Sequence, residues 1–200
     1  MAEPKVGGLV LAGGRSSRFG AEKAVQVIGG VTLLERSLAA LDGVAEAVAV
    51  SARPDSGAAE VARSMGLELV TDDRDHPSGP LAGIAAGLAW AWAEGFDLLA
   101  TLACDLPGVD AAILRRLVLR GGGYAVAGGR IQSLCAVWPV TALDALTEAL
   151  NAGDHPPVHE MLRRSGAAAV AFEDAAPFAN LNSREDLAAF ERRPPARPPA

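Results

Sequence analysis

The chain is poor in the residues that cross-link a fold or grip nucleic acid. It holds only two cysteines in 200 residues, Cys104 and Cys135, far apart and without metal-type spacing. That excludes a disulfide framework and a thiolate metal cluster, and leaves both as small buried apolar residues of a reduced, cytoplasmic protein. Aromatic residues make up 4% of the sequence, so the core has to rest on Leu, Val, Ile and Ala. Positive charge is in deficit: 18 Lys and Arg stand against 24 Asp and Glu, a formal net charge of -6. A protein that holds DNA or RNA by neutralising phosphates is not expected from that balance. No apolar run reaches the roughly 18 residues of a membrane span. The apolar stretch ending at Leu11 is too short, and too soon interrupted by Gly13-Gly14, for a secretory leader.

What is present points to one globular domain. Half of the residues are hydrophobic and 21% are charged, outside the disordered range, and this length buries a sizeable core. Short Val- and Leu-rich runs predict strands at Lys5–Leu11, Ala47–Ser51, Leu67–Val70, Asp97–Leu102, Tyr124–Ala127 and Ile131–Trp138, the last two around a Gly128-Gly129 turn. Helical spacing predicts helices at Thr32–Leu41, with Thr32 as cap, and at Ala58–Met65. Further helices are expected from Pro80 to about Ala93 and over Asp110–Leu119, Val158–Arg163 and Arg184–Phe190. Strand and helix alternate, so the expected fold class is α/β: a single Rossmann-like three-layer domain, with a mostly parallel sheet and helices on both faces. The domain is expected to run over residues 1–192, followed by a disordered Pro- and Arg-rich tail at 193–200. Ligands of such folds bind outside the carboxyl ends of strands. The loops after Leu11, Ser51, Val70 and Leu102 all lie there.

The loop after Leu11 carries the most chemistry: Leu11-Ala12-Gly13-Gly14-Arg15-Ser16-Ser17-Arg18-Phe19-Gly20-Ala21-Glu22-Lys23. Adjacent glycines let backbone N–H groups approach a ligand closely. Arg15 and Arg18 can fork onto phosphate oxygens, and Lys23 adds a compact mobile charge. Together they form a receptor for a polyphosphate, although the chain as a whole is acidic. The loop is not a Walker A sequence, which needs Gly-Lys-Ser/Thr, nor the dinucleotide pattern Gly-x-Gly-x-x-Gly.

This stretch resembles the nucleotidyltransferase signature Leu-Ala-Gly-Gly-x-Ser-x-Arg-Met-Gly-x-Asp-Lys, and most resembles that of the molybdenum cofactor guanylyltransferases. Phe19 stands for the usual Met and Glu22 for the usual Asp, and neither changes the charge pattern. Gly79-Pro80-Leu81-Ala82-Gly83 looks like the guanylyltransferase Gly-Pro-Leu-Ala-Gly loop, where the related cytidylyltransferase differs. Cys104-Asp105-Leu106-Pro107 matches Cys-Asp-x-Pro, and Asn180-Leu181-Asn182-Ser183 resembles Asn-x-Asn-Thr.

The resemblance implies a nucleotide-diphospho-sugar transferase type of fold. It also implies transfer of GMP from GTP to the phosphate of molybdopterin, with Mg²⁺ as cofactor. Arg18, Lys23 and Asp105 become the catalytic residues, with Asp105 as metal ligand. Leu11, Ala12, Gly13, Gly14, Arg15, Lys23, Ser51, Asp72, Gly79, Asp105, Asn180 and Asn182 become the substrate-binding set, the two asparagines on the molybdopterin side. Asp72 can meet guanine or ribose, and Asp73 reads as its solvated neighbour. Asn182 or Ser183 can equally cap the last helix. Asp105 has an N-cap reading too, although Asp110 offers the following helix its own start. His155 and His159 read as loop and helix residues without a third metal ligand, and Arg163 and Arg164 as a solvated helix end, with help in holding the anionic pterin as the alternative. Trp90 and Trp92 face differently on one helix. A molybdoenzyme or delivery chaperone is the implied protein partner, with no nucleic acid and no membrane. The alternatives are a relative using CTP or a sugar 1-phosphate, and a non-catalytic nucleotide-binding chaperone.

Overall fold

A computed structural model describes residues 3–13, 22–71, 79–153 and 155–192. The first strand, β1 (Val6–Leu11), is buried at every position. A small hairpin follows, β2 (Val27–Ile28) and β3 (Val31–Thr32), and leads into α1 (Leu33–Leu41). Thr32 caps α1: its hydroxyl accepts from the Glu35 N–H while the Glu35 carboxylate accepts from the Thr32 N–H, a reciprocal capping box. Next come β4 (Ala47–Ser51), α2 (Gly57–Ser64), β5 (Glu68–Val70), α3 (Pro80–Ala93) and β6 (Leu98–Ala103). After α4 (Ala111–Val118) the hairpin β7 (Gly123–Ala127) and β8 (Arg130–Pro139) turns through Gly128 and Gly129, both at positive φ (55° and 71°), which glycine adopts without strain. The chain closes with α5 (Leu143–Asn151), α6 (Val158–Arg164), β9 (Ala168–Phe172) and α7 (Arg184–Glu191).

Seven strands form one sheet in the order β5-β4-β1-β6-β8-β7-β9. Each neighbouring pair is parallel except those that involve β8, which runs antiparallel to both β6 and β7. The sequence-predicted strands all appear, with ends shifted by no more than a residue or two. The hairpin β2–β3, the helix α5 and the strand β9 add to them.

Two apolar layers cover the sheet. Leu34 and Leu41 of α1, Ala58, Ala59 and Ala62 of α2, and Leu114 and Leu117 of α4 pack with Val10, Val50, Ala100 and Leu102 on one face. Leu81, Ile84 and Leu88 of α3, Leu146 of α5 and Met161 of α6 pack with Leu9, Ala49 and Leu99 on the other. Alternate strand residues feed opposite layers, so the central strands are apolar throughout rather than alternating. The buried Trp138 donates from Nε1 to Thr101 Oγ1 at 3.3 Å, and that hydroxyl donates to the Ala136 carbonyl at 3.2 Å. These bonds satisfy the core polar groups and fasten β8 to β6. Trp90 is half-buried against Phe96, with ring centroids 5.5 Å apart, whereas Trp92 is exposed. No helix among the described residues is long and apolar enough to cross a membrane.

Candidate active site

The parallel strands end level. Leu11 stands in register with Ser51 on one side and with Ala103 on the other, and Ser51 with Val70. The chain therefore leaves β1, β4, β5 and β6 side by side along one edge of the sheet. Backbone bonds tie the loop bases together: Ala12 N–H donates to the Ser51 carbonyl at 2.9 Å, and Cys104 N–H to the Leu11 carbonyl at 3.2 Å. Leu11, Ala12 and Ser51 are buried and Gly13 is exposed beyond them. Ser51 thus supports the glycine loop through its carbonyl while its side chain sits in the interior. Gly79 is exposed at the N-cap of α3, directly before Pro80. Gly14, Arg15, Arg18 and Asp72 lie outside the described residues.

Three sequence-predicted residues converge at this edge from distant parts of the chain. Lys23 Nζ donates to Asn182 Oδ1 at 2.9 Å and stands 3.4 Å from Asp105 Oδ2. Lys23 follows the loop after β1, Asp105 follows β6 and Asn182 precedes α7. The Lys23 and Asp105 side chains keep 19% and 25% of their exposure. A part-buried pair of this length contributes on the order of 1 kcal/mol to stability, so its significance is placement.

Local structure explains each placement. Beside Lys23, Ala24 is buried and its carbonyl accepts from Leu34 N–H at 2.9 Å, while Lys23 and Gln26 carbonyls accept from Gln26 and Leu33 N–H groups at 2.9 Å each. Asp105 sits on a tight turn closed by Leu106 N–H on Ala103 and Val109 N–H on Leu106, at 3.2 and 3.1 Å. Asp110 caps α4 by accepting from Ile113 N–H at 3.0 Å, which leaves the Asp105 carboxylate to its contact with Lys23. Leu181 is buried beside Ile28 and Leu33, and its N–H donates to the Asp105 carbonyl at 3.0 Å. Asn180 and Asn182 are exposed on either side of it, an alternation that fits extended backbone. Ser183, not Asn182, caps α7, in a capping box with Asp186.

Cys104, adjacent to Asp105, is not a nucleophile. Burial first, and the Asp105 charge second, push its thiol up to about 12, so no useful thiolate exists near neutral pH. Cys135 is likewise pushed up to about 12 by burial. Among the described residues no group of three or more His, Cys, Asp or Glu could hold a metal ion, and His155 and His159 build no such site. Arg164 pairs with Glu160 at 2.6 Å on its own helix.

A protein-family model, the MobA-like NTP transferase domain, matches residues 8–172. The chain belongs to this family. A molybdenum cofactor guanylyltransferase of Cereibacter sphaeroides (strain ATCC 17029 / ATH 2.4.9) is 41% identical over 188 residues, 92% of this chain and 94% of the relative. Another protein of that name, from Acidiphilium cryptum (strain JF-5), is 38% identical over 198 residues, covering 96% and 98%. Among solved structures, molybdopterin-guanine dinucleotide biosynthesis protein A from Archaeoglobus fulgidus superposes with a TM-score of 0.72 at 22% identity, over 92% of this chain and 96% of that one.

For this MobA-like transferase the sequence reading missed one residue that the structure places at the site's base. The Glu22 carboxylate accepts from the N–H groups of Gly57 and Ala58, at 2.7 and 2.9 Å. Nothing in the sequence joins positions so far apart. The hairpin β2–β3, also missed, had a signal: Gly29-Gly30 between Val27-Ile28 and Val31-Thr32 is a two-residue turn pattern.

Proposed function

We propose that this chain transfers GMP from GTP to the terminal phosphate of molybdopterin, with release of pyrophosphate. The observation that carries the reading is the meeting of Lys23, Asp105 and Asn182 at the carboxyl edge of the sheet, in a chain whose relatives bear that activity in their names.

An oxygen of the acceptor phosphate attacks the α-phosphorus of GTP. The bond from that phosphorus to the bridging oxygen breaks, and its electron pair leaves with pyrophosphate. The attacking phosphate is already ionised near neutral pH, so no general base is needed. The protein's task is to align two anions and to neutralise charge on the leaving group. In this reading Arg15, Arg18, Lys23 and the backbone of Leu11 to Gly14 receive the phosphates. Asp72 and Gly79 serve the nucleoside end, Ser51 supports the glycine loop from beneath through its carbonyl, and Asn180 and Asn182 serve the pterin end.

Asp105 is the residue to hold Mg²⁺. It is a hard oxygen donor with one carboxylate, partly exposed beside Lys23, and Mg²⁺ is ordinarily held by one or two carboxylates together with substrate phosphates and water. When bound, the cation supplies further charge neutralisation on the phosphate oxygens. A cytoplasmic setting and direct hand-over of the product to a molybdoenzyme or delivery chaperone belong to the same reading.

The test is pyrophosphate release from GTP and from CTP, each with Mg²⁺ and with or without molybdopterin. Release from GTP only when molybdopterin is present is the expected result. Release from CTP instead overturns the base preference, and release from neither overturns the reaction.

A further inference from the structure

We propose that Glu22 is a positioning residue for Lys23: its carboxylate bridges the end of the phosphate-binding loop to the first turn of α2 and so sets where the Lys23 ammonium stands. The inference deepens the proposed function and rests on Lys23 being a phosphate-binding cation.

The bridge joins residues 35 and 36 positions apart, at 2.7 Å to Gly57 N–H and 2.9 Å to Ala58 N–H. These are the first two amides of α2, which no helical carbonyl can satisfy. Ser56, the local cap, takes the next one, its Oγ accepting from Ala59 N–H at 3.2 Å. Two capping groups thus share one helix end, and only one of them lies nearby in sequence. A carboxylate at the positive end of a helix, with one oxygen on each of two amides, makes short charge-assisted bonds in a fixed orientation.

Both partners of the bridge are rooted. Ala58, Ala59 and Ala62 of α2 are fully buried against the sheet. On the other side, Glu22's own carbonyl accepts from Gln26 Nε2 at 3.2 Å, and Lys23's carbonyl from Gln26 N–H at 2.9 Å. Gly57 leaves the space: a Cβ there would stand 3.1 Å from Val25 Cγ1 and 3.2 Å from Glu22 Oε2. Lysine has a long, freely rotating stem, so the direction of its backbone decides which anions it reaches. Glu22 fixes that backbone from the residue before.

The experiment compares Glu22→Ala, Glu22→Gln and Ser56→Ala in the full chain. It reads kcat and KM for GTP-dependent pyrophosphate release, together with amide hydrogen exchange. Glu22→Ala is expected to lower kcat by up to about 10²-fold, the scale of a small misplacement of a reacting group. Glu22→Gln, which keeps one acceptor oxygen, is expected to recover part of the loss. Ser56→Ala loosens the same helix end and lowers the melting temperature, with kcat held. In exchange, Glu22→Ala is expected to expose Gly57, Ala58, Gln26, Leu33 and Leu34, and Ser56→Ala only Ala59. A wild-type kcat in Glu22→Ala, or an equal loss in Ser56→Ala, overturns the proposal. So does unchanged exchange at Gln26, Leu33 and Leu34. Should the unmutated chain release no pyrophosphate while exchange follows the expected pattern, the reaction reading fails and the bridge stands.

Discussion

Lys23 stands 3.4 Å from Asp105 and hydrogen-bonds Asn182 at 2.9 Å, yet neither contact is buried enough to matter much for folding. Their removal therefore separates catalysis from stability. Lys23→Ala is expected to lower kcat by roughly 10²- to 10³-fold, the usual loss when one stabiliser of developing negative charge is deleted, with the melting temperature nearly unchanged. Asp105→Ala is expected to abolish transfer in the same assay, with circular dichroism showing an intact fold. Near-normal turnover that still depends on metal would sink the assignment of Asp105. Because no cluster of three metal-ligating side chains accompanies that aspartate among the described residues, calorimetry should find Mg²⁺ binding weak alone and stronger with GTP. In Asp105→Ala the cooperative gain should disappear.

At the scale of elements, the approach of the segment before α7 to the turn after β6 is set by a missing side chain. A Cβ on Gly108 would lie 2.8 Å from the carbonyl oxygen of Pro177 and 2.9 Å from its Cα. Backbone cannot swing aside as a side chain can, so Gly108→Ala has to push the 176–178 turn outward. That displaces Leu181 from the Asp105 carbonyl and Asn182 from Lys23. Thermal unfolding should show a loss of about 1–3 kcal/mol, typical of overpacking, and steady-state kinetics a raised KM for molybdopterin. A wild-type KM in a stable Gly108→Ala protein would show that Asn182 does not serve the acceptor. The same segment is held from its other side by Asp186, whose carboxylate accepts from Asn182 and Ser183 N–H at 2.8 and 2.9 Å. The Asn182 backbone bond, then the Ser183 hydroxyl, hold that carboxyl below its ordinary value of 3.8. The stability it contributes is present above pH 3.8 and is lost as acid protonates it in the folded state.

For the whole molecule, the clearest pH effect lies on the alkaline side. The Cys104 and Cys135 thiols are raised from 9.0 to about 12 in the fold, by burial before any other cause. Unfolded thiols ionise from about pH 9 and folded ones only near pH 12, so the unfolded state loses protons first as pH rises. Stability from this source is full below pH 9 and declines between pH 9 and 12. Denaturant titrations across that range should show the decline, and Cys104→Ala should flatten it. Near neutral pH a thiol-specific reagent should label neither cysteine until denaturant is added. Rapid labelling of the folded chain would contradict the burial of both.

The sequence by itself determined the layered α/β class, the parallel central strands and the edge at which the chemistry gathers. Buried strands read as unbroken apolar runs, helices as spaced leucines and alanines, and glycine loops with their cations as phosphate receptors; all of these are local signals. Lys23, Asp105 and Asn182 were legible as candidates because each sits in a short motif of its own. Strand β9 escaped notice because it is an alanine-rich edge strand, exposed at three of its five positions, without the unbroken Val and Leu run that marked the others. Only the tertiary structure decided that the three candidates meet, that Ser183 rather than Asn182 caps α7, and that Glu22 reaches across to α2. Those outcomes depend on which ends of separate elements the sheet register brings level, and on close approaches such as Gly108 against Pro177. Such contacts form between residues distant in sequence, where periodicity and propensity carry no information.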